Sequence, residues 1–259
     1  MRKTIVTLVM GLFFPLIVMH TESVAVDIQP RYDSSVPGTQ QDLINFVIAG
    51  LEGTFTGSTV FRVPIMNWPL VSVEPVPGRL YMLTPEGTPL ALTDWLYPTG
   101  INACPESAII IFNSNINWHW GLGPPPDDRY DGWSVATHEL LHAIGFAYPY
   151  KNYSDSVNVS TRTFHCGVLN LTLAGSDTNG LSHLDAGVYP NDLMNLSIGP
   201  GIRRSISDSD KRIFRCAFAG CYNLRQIPTL TQWSLIILVA LIVFSTWVVL
   251  RRRKVIGVR

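Results

Sequence analysis

Charge is scarce in this chain and evenly divided: 15% of its residues are Asp, Glu, Lys or Arg, 19 of each sign, for a formal net charge of 0. A balanced chain without a basic patch gives no footprint for nucleic acid. Cysteine is scarcer still. The four cysteines, Cys104, Cys166, Cys216 and Cys221, form no Cys-x-x-Cys pair, which argues against a thiolate zinc cluster and leaves disulfides as their expected use in an oxidising compartment. No segment repeats at a fixed period, so repeat architectures are set aside. Glutamate ends early, with none after Glu139.

What is present is concentrated in Trp133-Ser-Val-Ala-Thr-His138-Glu139-Leu-Leu-His142-Ala-Ile-Gly145-Phe146. The spacing predicts a helix on which His138 and His142, four apart, lie one above the other and grip one metal ion, with Glu139 beside the open position. The motif reads as a zinc site. Bound Zn²⁺ lowers the pKa of its water from about 16 to about 7, and a nearby carboxylate can take the proton as that water attacks a carbonyl. Peptide-bond hydrolysis is the expected chemistry. Asp131 is available to cap the helix, and Gly145 stands where it must stop.

A catalytic zinc ion usually has three protein ligands and one open position. The missing late glutamates remove a Glu ligand from a second helix. The compact continuation His-x-x-Gly-x-x-His fails at Tyr148. His165, His183 and the aspartates, Asp185 foremost, remain as third ligands, and His165 suffers from adjoining Cys166. The segment Ser182-His183-Leu-Asp185, followed by Leu193-Met194, resembles the end of the active site in metzincin proteases of the leishmanolysin-like branch and related bacterial secreted peptidases. The resemblance spans about Glu106 to Lys211. It implies His183 as the delayed third ligand and Met194 as the methionine of a turn packed beneath the metal. Asp185 could be a direct ligand, but an outer partner of a ligating imidazole is the commoner use of such a carboxylate. The resemblance also implies an edge strand near residues 108 to 114 along which a peptide would lie.

Glu106-Ser-Ala-Ile-Ile-Ile-Phe112-Asn113 has the β-branched, apolar composition of a strand. Between it and the metal helix runs a Gly- and Pro-broken loop with His119, read as a loop histidine, and with Asp127, Asp128 and Asp131, a weak candidate for calcium. Tyr148 and Tyr189 are available to assist an oxyanion. Leu43, Phe46, Val47 and Leu51 predict a helix over 40–51, residues 57–103 read as short strands and turns, and a last helix is expected around 207–219. Residues 147–179 read as a surface insertion. The fold class is α+β, and the resemblance implies a metzincin-like domain of twisted sheet, zinc helix and C-terminal helix. The expected disulfides are Cys216 with Cys221 and Cys104 with Cys166.

The ends address the chain. Met1-Arg2-Lys3, an apolar stretch to Met19 and Ser23-Val24-Ala25 read as a signal peptide over 1–25. Ser234 to Leu250 is an apolar run followed by Arg251-Arg252-Arg253-Lys254, long enough to span a membrane with a positive stop. Ile227-Pro228-Thr229-Leu230 before it resembles the IPTL-type sorting signal of Gram-negative bacteria over residues 227 to 254, and implies an exosortase-type processing enzyme. The expectation is a zinc metalloprotease domain over 26–226, exported to the periplasm, outer surface or medium and acting on protein or peptide. A non-catalytic zinc-containing surface binding or adhesion module is the alternative.

Overall fold

A computed structural model describes residues 26–56, 60–71, 79–94, 105–217 and 223–224, with scattered helical positions at 239, 242–244 and 247. The chain divides into two units, Met1–Leu224 and Arg225–Arg259, and every element named here belongs to the first. The signal peptide expected over 1–25 and nearly all of the sorting signal over 227–254 lie outside the described residues. Among the described residues no helix is long and apolar enough to cross a membrane.

The first unit is α+β, as expected. Strand β1 (Asp27–Tyr32) leads into helix α1 (Gly38–Thr54), then the short β2 (Phe55–Thr56) and the long β3 (Val60–Trp68). A hairpin of β4 (Arg79–Leu83) and β5 (Pro89–Asp94) precedes β6 (Ile109–Asn113). These make a five-stranded sheet in the order β1-β3-β6-β5-β4. β1, β3 and β6 run parallel, and β5 is antiparallel to both of its neighbours. Strand β6 is therefore central, which corrects the expectation of an edge near residues 108 to 114. The hairpin adds itself to the side of β6 that would have been open, and β4 becomes the edge. Along β6 Ile110 and Phe112 face the core, while Ile109 and Ile111 on the other face are only partly buried.

Alternation in β3 turns Phe61, Val63 and Ile65 into the core. Leu43, Ile44, Val47, Ile48 and Leu51 recur at helical spacing and form the buried stripe of α1. Phe46 does not join them; it is half exposed and rests on the Trp133 ring at 5.1 Å. After β6 come the short pair β7 (Trp118–His119) and β8 (Tyr130–Asp131) and then helix α2 (Gly132–Ala143), which packs on α1 and against β4, β5 and β6.

The segment after α2 is more than a surface insertion. Helix α3 (Lys151–Ser154) and the antiparallel strands β9 (Val157–Asn158), β10 (Thr163–Cys166) and β11 (Leu169–Thr172) form a small layer whose buried residues Tyr153, Phe164, Leu169 and Leu171 belong to the hydrophobic core. A chain of rings joins it to the rest of that core: Phe164 to Tyr153, Tyr153 to Phe146, and Phe146 to Phe214, with centroids 5.2, 5.3 and 5.8 Å apart. Phe214 belongs to the last helix α5 (Asp208–Ala217), which follows the short helix α4 (Thr178–Leu181) and a long turn. Reciprocal bonds between Ser207 and Asp210 open α5 as a capping box: Ser207 N donates to Asp210 Oδ2 at 2.8 Å, and Asp210 N donates to Ser207 Oγ at 3.0 Å.

The disulfide joins Cys166 of β10 to Cys216 of α5, with Cα atoms 6.0 Å apart. This overturns both expected pairings, Cys104 with Cys166 and Cys216 with Cys221. The two partners lie 50 residues apart, and only the docking of β10 on α5 brings them together. Cys104 and Cys221 lie outside the described residues.

Candidate metal centre

Helix α2 is buried from Ser134 to Ala143, so its start must be defined by specific bonds rather than by an exposed polar face. Asp131 caps it, accepting from Ser134 N at 3.1 Å and from Ser134 Oγ at 2.7 Å. The buried Asp131 carboxylate is held in turn by Arg203, whose Nε and Nη2 lie 3.0 and 2.7 Å from its two oxygens. The guanidinium also sits 5.4 Å from the Trp133 ring centre. Arg204 N donates to Ser134 Oγ at 2.7 Å. The start of the helix is thereby tied to the segment that follows Met194. At the other end Gly145 takes φ 123°, which releases the chain from the helix.

His138 and His142 project from one face of α2. His183 comes from the turn after α4, a helix whose start is capped by Asp177 accepting from Gly180 N at 2.7 Å. Gly180 is required there, because a Cβ would stand 2.5 Å from Gly175 Cα. Ser182 fastens this turn to the exit of α2 by accepting from Tyr148 N at 2.8 Å. All three imidazoles are buried.

Their Nε2 atoms form a nearly equilateral triangle. The separations are 3.0 Å between His138 and His142 and 3.1 Å from each of these to His183. Every Nδ1 faces a backbone carbonyl: Leu193 O at 2.9 Å for His138, Phe146 O at 2.5 Å for His142 and Asn179 O at 2.5 Å for His183. A carbonyl only accepts, so each Nδ1 carries the proton and each neutral ring points a bare lone pair at its two neighbours. Burial keeps the rings neutral. It pushes His138 and His142 well below the ordinary histidine value, helped by neighbouring imidazoles, and His183 down to about 4.

Three lone pairs aimed at one point with no proton among them repel, and a cation between them removes the conflict. The group can hold a metal ion. The spacing is close to the ~3.3 Å that tetrahedral geometry with ~2.05 Å metal–nitrogen bonds requires. The three carbonyls do what outer partners do in metal sites, fixing tautomer and ring orientation.

Glu139, next to His138 on α2, is also buried. Its Oε2 accepts from Thr93 Oγ1 of β5 at 2.7 Å, while Oε1 has no hydrogen-bond partner among the described residues. Burial pushes its carboxyl up to about 8, against the lowering effect of the Thr93 hydroxyl and the Met82 amide. Met194 is buried, and its carbonyl accepts from Leu184 N at 2.8 Å, which places the turn next to the residue that follows His183.

Other expected participants lie elsewhere. Asp185 is no partner of an imidazole; it accepts from Gly187 N at 2.8 Å in a local turn, and the Asn179 carbonyl has the place next to His183. His165 is exposed on β10 and bonded to Thr163 Oγ1 at 2.7 Å. His119 contacts Gly123 O at 3.1 Å. Among the described residues only the three histidines form a group of three or more side chains close enough for a metal, and Asp127, Asp128 and Asp131 do not gather in this way. Tyr189 Oη accepts from Thr172 N on β11 at 3.4 Å. Thr93 and the three carbonyls were invisible in the sequence. A threonine in an apolar strand has no signature, and any residue offers a carbonyl.

The chain matches no protein-family model, no curated protein and no solved structure.

Proposed function

We propose that the protein is an exported zinc-dependent endopeptidase of metzincin type, with His138, His142 and His183 as ligands, Glu139 as general base and Met194 packed beneath the site. One observation carries the reading: three imidazoles converge on a single point, and the helix that supplies two of them carries, next to His138, a buried Glu139 whose Oε1 has no hydrogen-bond partner among the described residues. Imidazole donors suit zinc, copper, iron and nickel, and the His-Glu-x-x-His frame favours zinc among them. Bound there, zinc would supply Lewis acidity and an acidified water. Glu139 then takes the proton of the attacking water on Oε1 and returns it to the leaving amine, so its charge is restored at the end of each turnover. The disulfide supports an oxidising compartment, in keeping with the signal peptide and sorting signal read at the two ends.

The enclosure of all four residues favours a second reading, a non-catalytic surface binding module whose metal is structural. A peptidase of this form must open to admit its substrate. The two readings separate on cleavage of unfolded casein by metal-loaded protein, with and without o-phenanthroline. The endopeptidase predicts cleavage that the chelator stops and that Glu139→Gln lowers by roughly a hundredfold or more while metal is retained. Undiminished cleavage by Glu139→Gln would refute the role of Glu139, and full metal loading without cleavage would support the binding module.

A further inference from the structure

We propose that Thr93 is the positioning residue for Glu139, holding Oε2 so that Oε1 alone is left to exchange a proton with substrate and water. The inference rests on the hydrolytic reading of the site and adds a residue to it.

Strand β5 enters the core as Pro89-Leu-Ala-Leu-Thr93, and all five residues are buried. Thr93 stands opposite Leu80 on β4 and Ile110 on β6. Valine or isoleucine would fill such a place with the same shape and no polar atom to desolvate. The hydroxyl therefore needs a partner, and Glu139 provides both of its contacts: Oε2 at 2.7 Å and the main-chain carbonyl at 3.1 Å. The shorter contact, to the carboxylate oxygen Oε2, is the stronger of the two. It holds the side chain in one rotamer and leaves Oε1, which has no hydrogen-bond partner among the described residues, as the reacting oxygen. Fixing the base in this way removes reorganisation from the chemical step.

The test compares wild type, Thr93→Val, Thr93→Ser and Glu139→Gln as full, metal-loaded chains. Thr93→Val keeps the shape and deletes the hydroxyl; Thr93→Ser keeps the hydroxyl. The expected result is full zinc content in all four, a kcat for Thr93→Val lower by roughly ten- to a hundredfold with KM little changed, the loss of one hydrogen bond to a charged group, and recovery of most of kcat in Thr93→Ser. The second readout needs no activity: the infrared carboxyl band of Glu139, assigned by its disappearance in Glu139→Gln, shifts in Thr93→Val and returns in Thr93→Ser. An unshifted band overturns the proposal whether or not the chain hydrolyses peptides. So does a kcat within twofold of wild type beside an inactive Glu139→Gln, an outcome that leaves the endopeptidase reading standing. Loss of zinc or of folding in Thr93→Val assigns Thr93 a purely structural role and overturns the proposal as well. A shifted band in a chain with no hydrolysis supports the contact and refutes the endopeptidase reading instead.

Discussion

Burial changes what each ionisable group at the centre can do. Metal ligation needs neutral imidazole, and an exposed histidine begins to protonate near pH 6.5, costing up to about tenfold in affinity per ring for each pH unit below that. Here burial lowers all three rings, His183 to about 4. Since the neutral form persists above the lowered values, proton competition is absent until the pH approaches them. Affinity for zinc, measured by chelator competition, is expected to stay within about threefold between pH 7.5 and 5 once the chelator's own protonation is corrected for. A progressive fall starting at pH 6.5 would mean that the rings are solvated. The same burial acts on Glu139 with the opposite sign for charge. Burial pushes its carboxyl up to about 8, and a cation at the histidine triangle would favour the ionised form that a base requires.

At the scale of elements, α2 is fixed less by propensity than by its clamp. Asp131 serves as the cap and as the anion for Arg203, and Arg203 brings the segment after Met194 against the start of the metal helix. Asp131→Ala loses a cap and two charge-assisted bonds, and is expected to destabilise the fold by roughly 2–4 kcal/mol in urea unfolding. Asp131→Asn keeps the cap and should lose about half as much. A loss below about 1 kcal/mol for the alanine variant would show that the clamp does not hold the helix. Asp131 as a cap and Gly145 as a terminator were legible in the sequence because capping is local chemistry. Most of the stripe of α1 was legible from periodicity, though Phe46 is not part of it, and the last helix, expected around 207–219 after the methionine turn, is found over Asp208–Ala217. The arginine partner 72 residues away was not legible. Neither was the internal position of β6: an apolar strand looks alike at an edge or in the centre until its neighbours are known, and the β4–β5 hairpin decided the matter. The Cys166–Cys216 bond was hidden likewise, since spacing along the chain says nothing of which strand docks on which helix.

Across the first unit, separate parts of the chain meet at the centre: α2 gives two of the histidines, the turn after α4 gives the third, the Leu193-Met194 turn carries a carbonyl partner, and Thr93 of β5 bonds Glu139. His138, Glu139 and His142 could be read directly, because four-residue spacing on a helix determines their relation. His183 could be read only from the company of Ser182, Asp185 and Met194, and the structure brings it to the other two. A metal bound by the folded chain and not by the unfolded one couples this meeting point to global stability, by about 4 kcal/mol when free metal is a thousand times its dissociation constant. The central claim is that three histidines from distant segments form one metal centre. The most direct test is the metal content of the purified, metal-equilibrated protein beside that of His183→Ala, each checked for folding by circular dichroism. The account predicts one zinc ion per wild-type chain and loss of most of it in the folded variant; a variant that keeps its full complement of metal would contradict it.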